Sequence, residues 1–381
     1  MKKIGLLIDT LIGGGAERIV LNFAETFSKY GHEVHIILIK NIIEHNVDTS
    51  LYTIHYISES GELSKNKFIN KMLLAKRLKE KIAKIEENSN KFDLFISNAE
   101  DMDLLAKKAK LDNLYIRYRN SMYTYYKSKF ENTAGFKRLR RKIKFKLQFK
   151  NRYNNQNIIT VSKALIADIT EKMGIKPKMI KCIYNPFDFE KIRERAKEIN
   201  NDIPNKKYII YAAKFENRKN QKLLIKAYKK ANINLPLVLI GNTHTDSDKK
   251  YLKELKELII KLGIEEKVIF PGFQKNPYPW IKNAELFVMS SNSEGLPLVL
   301  VEALILGTKV VSTDCPTGPS EVLIDELKEF LSPINDIEKL AENIKKALIK
   351  YPKIKESYIK KFKAEYSVNQ YLELYNETKL L

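Results

Sequence analysis

The chain has 381 residues, 68 of them Lys or Arg against 46 Asp or Glu, giving a formal charge of +22. That length exceeds one small core, so two domains are expected, and the charge calls for anionic partners: nucleic acid, anionic lipid or a phosphorylated substrate. Two distant cysteines, Cys182 and Cys315, exclude a disulfide framework, and no apolar stretch is long enough to span a bilayer, so the cytoplasm is the expected compartment.

Residues 4–8 are apolar, and Asp9 ends the run too early for a signal peptide, so a first buried strand is expected. Residues 10–15, with Gly13, Gly14 and Gly15, form a turn. From Ala16 the chain reads as a helix, with Ile19, Val20, Phe23, Ala24 and Phe27 spaced for one face. Gly31 stops that helix, and 34–39 is the next strand. A strand, a Gly-rich turn, a helix and a strand open a doubly wound sheet. The turn can hold phosphate or simply be tight. It is not the G-x-G-x-x-G fingerprint, so no NAD is inferred.

Further strands are expected at 51–57, 92–97, 114–118, 158–161 and 180–183, and helices at 65–87 and 101–110. Residues 119–126 open an aromatic, polar loop, and Ser162-Lys163 caps a helix. The polar stretch 189–206 suits an inter-domain link. Domains are therefore expected at 1–188 and 207–362, with 363–381 a C-terminal helix returning to the first.

Residues 136–153 hold Lys137, Arg138, Arg140, Arg141, Lys142, Lys144, Lys146, Lys150 and Arg152 and no acidic residue. Phe136, Leu139, Ile143 and Leu147 share one helical side, while Phe145 and Phe149 lie elsewhere on the wheel. A membrane-surface helix inserting Phe145 or Phe149 is one reading. A helix packed by its stripe, with a solvated basic face, is the other.

The pattern restarts with a strand at 207–213, the segment Lys214-Phe215-Glu216-Asn217-Arg218-Lys219, and a helix at 223–231. Strands at 235–240, 268–270, 284–289 and 309–312 alternate with helices at 248–262 and from 319. Residues 337–381 are largely helical, interrupted at Tyr351-Pro352. The run Ser291-Asn292-Ser293-Glu294-Gly295-Leu296-Pro297-Leu298 leaves the strand at 284–289 and opens a helix carrying Glu302. Eight positions are just over two helical turns, so Glu294 and Glu302 are expected on one face. Carboxylates at the carboxyl edge of a parallel sheet suit sugar hydroxyls.

Glu294-Gly-Leu-Pro, Glu302-Ala, the strand after Gly307 and the first Gly-rich unit together resemble retaining glycosyltransferases of GT4 type. The resemblance spans essentially the whole chain. It implies the α/β GT-B fold: two Rossmann-like, doubly wound domains facing a cleft. It further implies transfer of a hexose or N-acetylhexosamine from a nucleotide diphosphate sugar, UDP-sugar favoured, to a glycan or lipid-linked acceptor in surface polysaccharide, lipopolysaccharide or glycoprotein-glycan assembly.

By that resemblance Lys214 and Lys219 grip the diphosphate, with Lys214 where the family has Arg, and Arg218 compensates for the missing planar fork. Glu294 holds donor-sugar hydroxyls and Glu302 the ribose. Gly295, Leu296, Pro297 and Leu298 face the sugar and phosphates, while Gly272, Phe273 and Lys275 lie near the base. Gly14 and Gly15 close on the diphosphate, and Glu17, Arg119 and Asn120 meet the acceptor. Many relatives carry a His where Arg119-Asn120 stands.

No bound metal or other cofactor is implied. Asp101, Asp103, Asp246 and Asp248 read as helix caps rather than a metal pair, and the five histidines as packing or surface residues. A peripheral position on the inner face of the plasma membrane is expected, with Arg140, Arg141, Lys142, Lys144, Phe145 and Phe149 as contacts. Two alternatives stand beside this reading. One is a basic nucleic-acid-binding protein, for which no reading motif is present. The other is a GT-B glycan phosphorylase, for which no pyridoxal-type Lys context is seen.

Overall fold

The structure, a computed structural model, describes residues 1–59, 67–87, 89–131 and 135–379. The chain divides into two compact units, Met1–Asp188 with Phe362–Leu381, and Phe189–Lys361.

The first unit runs β1 (Lys3–Ile8), α1 (Gly15–Lys29), β2 (Glu33–Lys40), β3 (Thr53–Ser58), α2 (Lys67–Glu86), β4 (Leu94–Ser97), α3 (Glu100–Ala109), β5 (Leu114–Tyr118), α4 (Met122–Glu131), α5 (Gly135–Tyr153), β6 (Asn157–Thr160), α6 (Ala164–Ala167) and β7 (Met179–Cys182). Its parallel sheet has the order β3-β2-β1-β4-β5-β6-β7. β1 and β4 are buried at every position, as strands covered on both faces must be. Strand order reverses between them, so the loops leaving Ile8 and Ser97 open where such sheets take ligands. Arg117 on β5 is buried there; it donates to Asn98 at 2.8 Å and to Asn185, and lies 4.9 Å from the Phe23 ring.

The second unit runs α7 (Phe189–Arg195), β8 (Ile209–Ala212), α8 (Gln221–Ala231), β9 (Leu237–Ile240), α9 (Asp246–Lys261), β10 (Val268–Gly272), α10 (Tyr278–Asn283), β11 (Leu286–Met289), α11 (Leu298–Ile305), β12 (Lys309–Thr313), α12 (Pro319–Val322), β13 (Leu331–Ser332), α13 (Ile337–Ile349) and α14 (Glu356–Ile359). Its parallel sheet, β10-β9-β8-β11-β12-β13, repeats the same topology. β8 and β11 pair only through Ile209–Ile210 and Leu286–Phe287, so they separate toward their carboxyl ends. The last helix, α15 (Ala364–Lys379), belongs to the first unit, where Tyr371 meets Phe23 edge-on at 5.3 Å.

Several expectations are corrected. The stretch 189–206, read as a link, begins with α7, whose buried Phe189 and Ile192 pack it on α10 and α11. Two apolar residues three apart suffice for one helical contact, although the surrounding composition is polar. Residues 122–126, read as loop, start α4, because the Ser121 hydroxyl accepts the Thr124 N–H at 3.0 Å. α6 starts without a side-chain cap and runs into a π-turn at Asp168–Lys172. Residues 65–66 of the expected second helix lie outside the described residues.

The faces of α5 are the reverse of both readings. Phe149 is buried against Tyr118 and Tyr153, and Phe145 stacks on Phe149 and packs on Tyr126. Phe136, Leu139, Ile143 and Leu147 are instead 51 to 74% exposed. Flat rings one turn apart fill the space beside α4 and β5 better than the aliphatic stripe does. Lys142 lies over the Tyr126 ring at 5.7 Å, while Arg140, Arg141 and Lys144 are exposed.

Candidate active site

The second sheet splays where its strand order reverses, and two loops meet there. One leaves β8 at Ala212 and carries Lys214, Arg218 and Lys219. The other leaves β11 at Met289 and carries Glu294. Residues 290–297 are not helical, and α11 starts at Leu298. The helical-face argument therefore does not place Glu294 beside Glu302. The strand–loop junction places Glu294 by itself.

Glu294 is 6% exposed. Its Oε1 accepts the Lys219 ammonium at 2.6 Å and the Ser291 hydroxyl at 2.6 Å, and its Oε2 accepts Arg218 Nη1 at 3.3 Å. Tyr211 on β8 bonds Ser291 Oγ at 2.7 Å. Thr317 donates to the Glu294 carbonyl. Burial alone would push this carboxyl up; Lys219 and then Arg218 outweigh it and hold the group below the usual carboxylate range. Glu294 is therefore a buried, ionised acceptor with two cations on it.

The cation loop is pinned at both ends. Residues 217–219 form a 3₁₀ turn, and Asn220, at φ 49°, caps α8 through Leu223. Arg218 Nη1 donates to the Ser293 carbonyl at 2.8 Å, and the Asn292 N–H donates to the Arg218 carbonyl at 2.8 Å. Lys214 stands apart, its ammonium 3.0 Å from Asp248 and 3.7 Å from Glu216. Lys219 and Arg218 thus share Glu294 and Lys214 sits on Asp248, with Glu216 linking the two, 2.7 Å from Arg218 and 3.7 Å from Lys214.

Glu302, in the middle of α11, is 2% exposed, and its Oε1 accepts the Tyr278 hydroxyl at 3.2 Å. Gly295, Leu296 and Pro297 are buried. Gly318, at φ 99°, packs on them so closely that a Cβ would stand 2.6 Å from the Pro297 ring. Gly272 has φ 79° and no heavy atom within 4 Å of where a Cβ would stand. The next residue, Phe273, is 63% exposed, and Lys275 is exposed as well.

In the first unit the amides of Gly13 and Gly14 meet the side chains of Glu44 at 3.2 Å and His45 at 3.4 Å. Gly15 begins α1, and the Glu17 carboxylate folds back over Gly14. Burial raises Glu17, and burial followed by Asp101 raises Asp9 to about 6, while Arg119 draws both down. Asp9 accepts the Met102 N–H at 3.0 Å. Arg119 is half-buried and Asn120 exposed at the end of β5. Asp103 is not a cap; it is buried under Ser97 at 2.6 Å and Tyr153 at 3.3 Å. His35 and His55 bond each other at 2.9 Å on β2 and β3.

Sequence reasoning missed Tyr211, Asp248 and Tyr278 as partners of the site. Tyr211 and Tyr278 looked like strand and helix packing. For Asp248 a signal existed, since Thr245-Asp246-Ser247-Asp248 has the spacing of a capping box at a strand-to-helix edge.

Residues 192–364 match the family described as Glycosyl transferases group 1, and residues 13–191 match Glycosyltransferase Family 4. The N-acetylgalactosamine-N,N'-diacetylbacillosaminyl-diphospho-undecaprenol 4-alpha-N-acetylgalactosaminyltransferase of Campylobacter jejuni is 29% identical over 95% of this chain and 94% of its own. A lipopolysaccharide 1,6-galactosyltransferase of Salmonella typhimurium is 29% identical over 39% of this chain and 41% of its own. Among solved structures, a glycosyltransferase from Rickettsia africae has a TM-score of 0.74 at 17% identity, covering 99% of this chain and 98% of that one. Anabaena HepE in complex with UDP and glucose has a TM-score of 0.72 at 18% identity, covering 99% and 100%. The two family matches together run from residue 13 to residue 364, and the chain belongs to the family they describe, the GT4-type glycosyltransferases of GT-B fold.

Proposed function

We propose that the protein moves a hexose or N-acetylhexosamine from a nucleotide diphosphate sugar, a UDP-sugar by preference, to a lipid-linked glycan or lipopolysaccharide acceptor, with retention and without a resident metal. The observation that carries this is the buried Glu294 clamped by Lys219 and Arg218 at the switch point of the second sheet. The diphosphate competes with Glu294 for those cations. Each N–H that turns to a phosphate oxygen releases a carboxylate lone pair, which then accepts a donor-sugar hydroxyl. The cations, with Lys214, stabilise the charge that grows on the diphosphate as the bond to the sugar breaks. The acceptor hydroxyl attacks from the same face, and its proton passes to the departing phosphate oxygen. Glu302 holds the ribose, and the open space at Gly272 with exposed Phe273 and Lys275 takes the base. Glu17, Arg119 and Asn120 are the acceptor contacts in this reading.

The Campylobacter relative is named for transfer onto a diphospho-undecaprenol-borne sugar, which supports an acceptor in the bilayer. No helix among the described residues is long and apolar enough to cross a membrane. In our reading α5 docks on the anionic inner leaflet, inserting Phe136, Leu139, Ile143 and Leu147 rather than Phe145 and Phe149, with Arg140, Arg141 and Lys144 at the headgroups.

The test is turnover of a UDP, GDP and ADP sugar panel with lipid-linked acceptors, with and without EDTA. Consumption of one donor, unchanged by EDTA, is expected. No consumption of any donor overturns the reading, and loss in EDTA restored by Mg²⁺ or Mn²⁺ overturns its metal-free part. Co-sedimentation with anionic liposomes should fall when Leu139 and Ile143 become Ser, and hold when they do not. Equal binding by that variant removes α5 as the anchor.

A further inference from the structure

We infer that Asp248 is the positioning residue of the diphosphate grip, acting through Lys214; the inference rests on the assignment of Lys214 to the diphosphate made above.

β9 neighbours β8, so the helix that follows β9 starts at the same sheet edge from which Lys214 projects. Asp248 stands third in that helix and is 7% exposed. Its Oδ2 accepts the His244 and Thr245 N–H groups, each at 3.0 Å, and its own N–H donates to the Thr245 hydroxyl at 3.2 Å. That is a complete capping box, and it fixes the carboxylate through backbone bonds that do not involve Lys214. On the same oxygen, at 3.0 Å, sits the Lys214 ammonium. Burial pushes the Asp248 carboxyl up, but the Lys214 hydrogen bond and the amides bring it down to about 2. The carboxylate is thus ionised across the working range.

An arginine brings a planar fork to a phosphate with its geometry built in. A lysine brings a point charge on a four-carbon stem and loses rotamer freedom when held. At Lys214 that freedom is already reduced by a carboxylate that is itself fixed to a helix start. The ammonium has three donors, so one can stay on Asp248 while another meets a phosphate oxygen. Asp248 therefore supplies the preorganisation that the guanidinium plane would have supplied. An ordinary cap would serve α9 equally well as Asn, and its loss would lower stability without regard to which ligand is bound.

The experiment is a double-mutant cycle with Lys214→Ala and Asp248→Asn. It reads donor KM and kcat, affinity for the nucleoside diphosphate and for the nucleoside, and Tm. Lys214→Ala should weaken diphosphate binding roughly tenfold and leave nucleoside binding unchanged. Asp248→Asn should raise donor KM roughly threefold or more, as coupled neighbours do, with kcat changed less. It should have no further effect in the Lys214→Ala protein. An Asp248→Asn effect of equal size in both backgrounds, or none in the wild type while Lys214→Ala shows its loss, overturns the inference alone. No loss in Lys214→Ala overturns the Lys214 assignment and the inference with it. Should Asp248→Asn melt early, Asp248→Glu keeps the charge and a capping oxygen. Near-normal donor KM in that variant supports positioning by charge, and a KM as poor as that of Asp248→Asn overturns it.

Discussion

The carboxyl edges of the two sheets both shield carboxyl groups from solvent and shift them in opposite directions. In the second unit Glu294 and Asp248 are 6 and 7% exposed, and both are held low by Lys219, Arg218 and Lys214. In the first unit Asp9 is raised to about 6 and Asp103 to about 7, chiefly by burial, with the more distant Arg119 as a partial counterweight. Desolvation is common to both edges, and the cations decide the outcome. An edge of clamped, ionised carboxylates is prepared to exchange partners with an incoming dianion. An edge whose carboxyls titrate at about 6 and about 7 is only partly ionised near neutral pH and can meet hydroxyls.

The largest expected effect comes from removing the charge at the centre of the clamped edge. Glu294→Gln should lower kcat on the order of 10² to 10³-fold, the range for losing a fixed electrostatic partner of the reacting groups. It should bind the nucleoside diphosphate at least as well as the wild type, because Lys219 and Arg218 lose their competitor. Transfer assays and calorimetry on the folded variant read both. Turnover at the wild-type rate, or diphosphate affinity that falls with kcat, would break the contrast between the two edges.

The next effect belongs to the other edge. The folded chain holds a proton on Asp103 up to about 7, whereas an unfolded carboxyl releases it near its ordinary 3.8. Its contribution to stability is therefore full below the unfolded value and is lost as pH rises through the folded one. Asp103→Asn keeps the Ser97 and Tyr153 contacts within reach and carries no charge to bury. Its stability relative to wild type should rise by about 1 kcal/mol per pH unit between pH 4 and 7, then level off. Denaturant unfolding across that range measures it. A constant difference would mean that the first edge is ionised like the second.

How much of this could be read in the sequence differs between the edges for the same reason. The alternation of strands and helices, and the loops carrying Lys214 to Lys219 and Ser291 to Leu298, were legible because short apolar runs bounded by Gly and Pro mark parallel strands. The pairing of Lys219 and Arg218 with Glu294 was not, since it depends on β8 and β11 being neighbours across 75 residues or more of chain. The faces of α5 were misread because a helical wheel shows which residues share a side but not which side the protein covers. Phe149 is buried against β5 and Phe145 packs on α4, which no local pattern announces. The link at 189–206 failed in the same way: its composition is polar, and two contacts decide its place.

The smallest expected effect separates the two cations that share Glu294. Lys219 is the better buried, its side chain 18% exposed against 42% for Arg218, and its bond to the carboxylate is 2.6 Å against 3.3 Å. A charge-assisted hydrogen bond is worth about 1.5–3 kcal/mol when desolvated and much less at an exposed pair. Lys219→Ala should therefore weaken nucleoside diphosphate binding roughly tenfold or more, and Arg218→Ala only a few-fold, while neither changes nucleoside binding. Arg218 also ties the two loops together through the Ser293 carbonyl and Glu216. Its replacement should accordingly cost some thermal stability that Lys219→Ala does not. If the two variants lose diphosphate affinity equally, and equally for the nucleoside, the clamp on Glu294 is a structural ion network and not a site waiting for an anion.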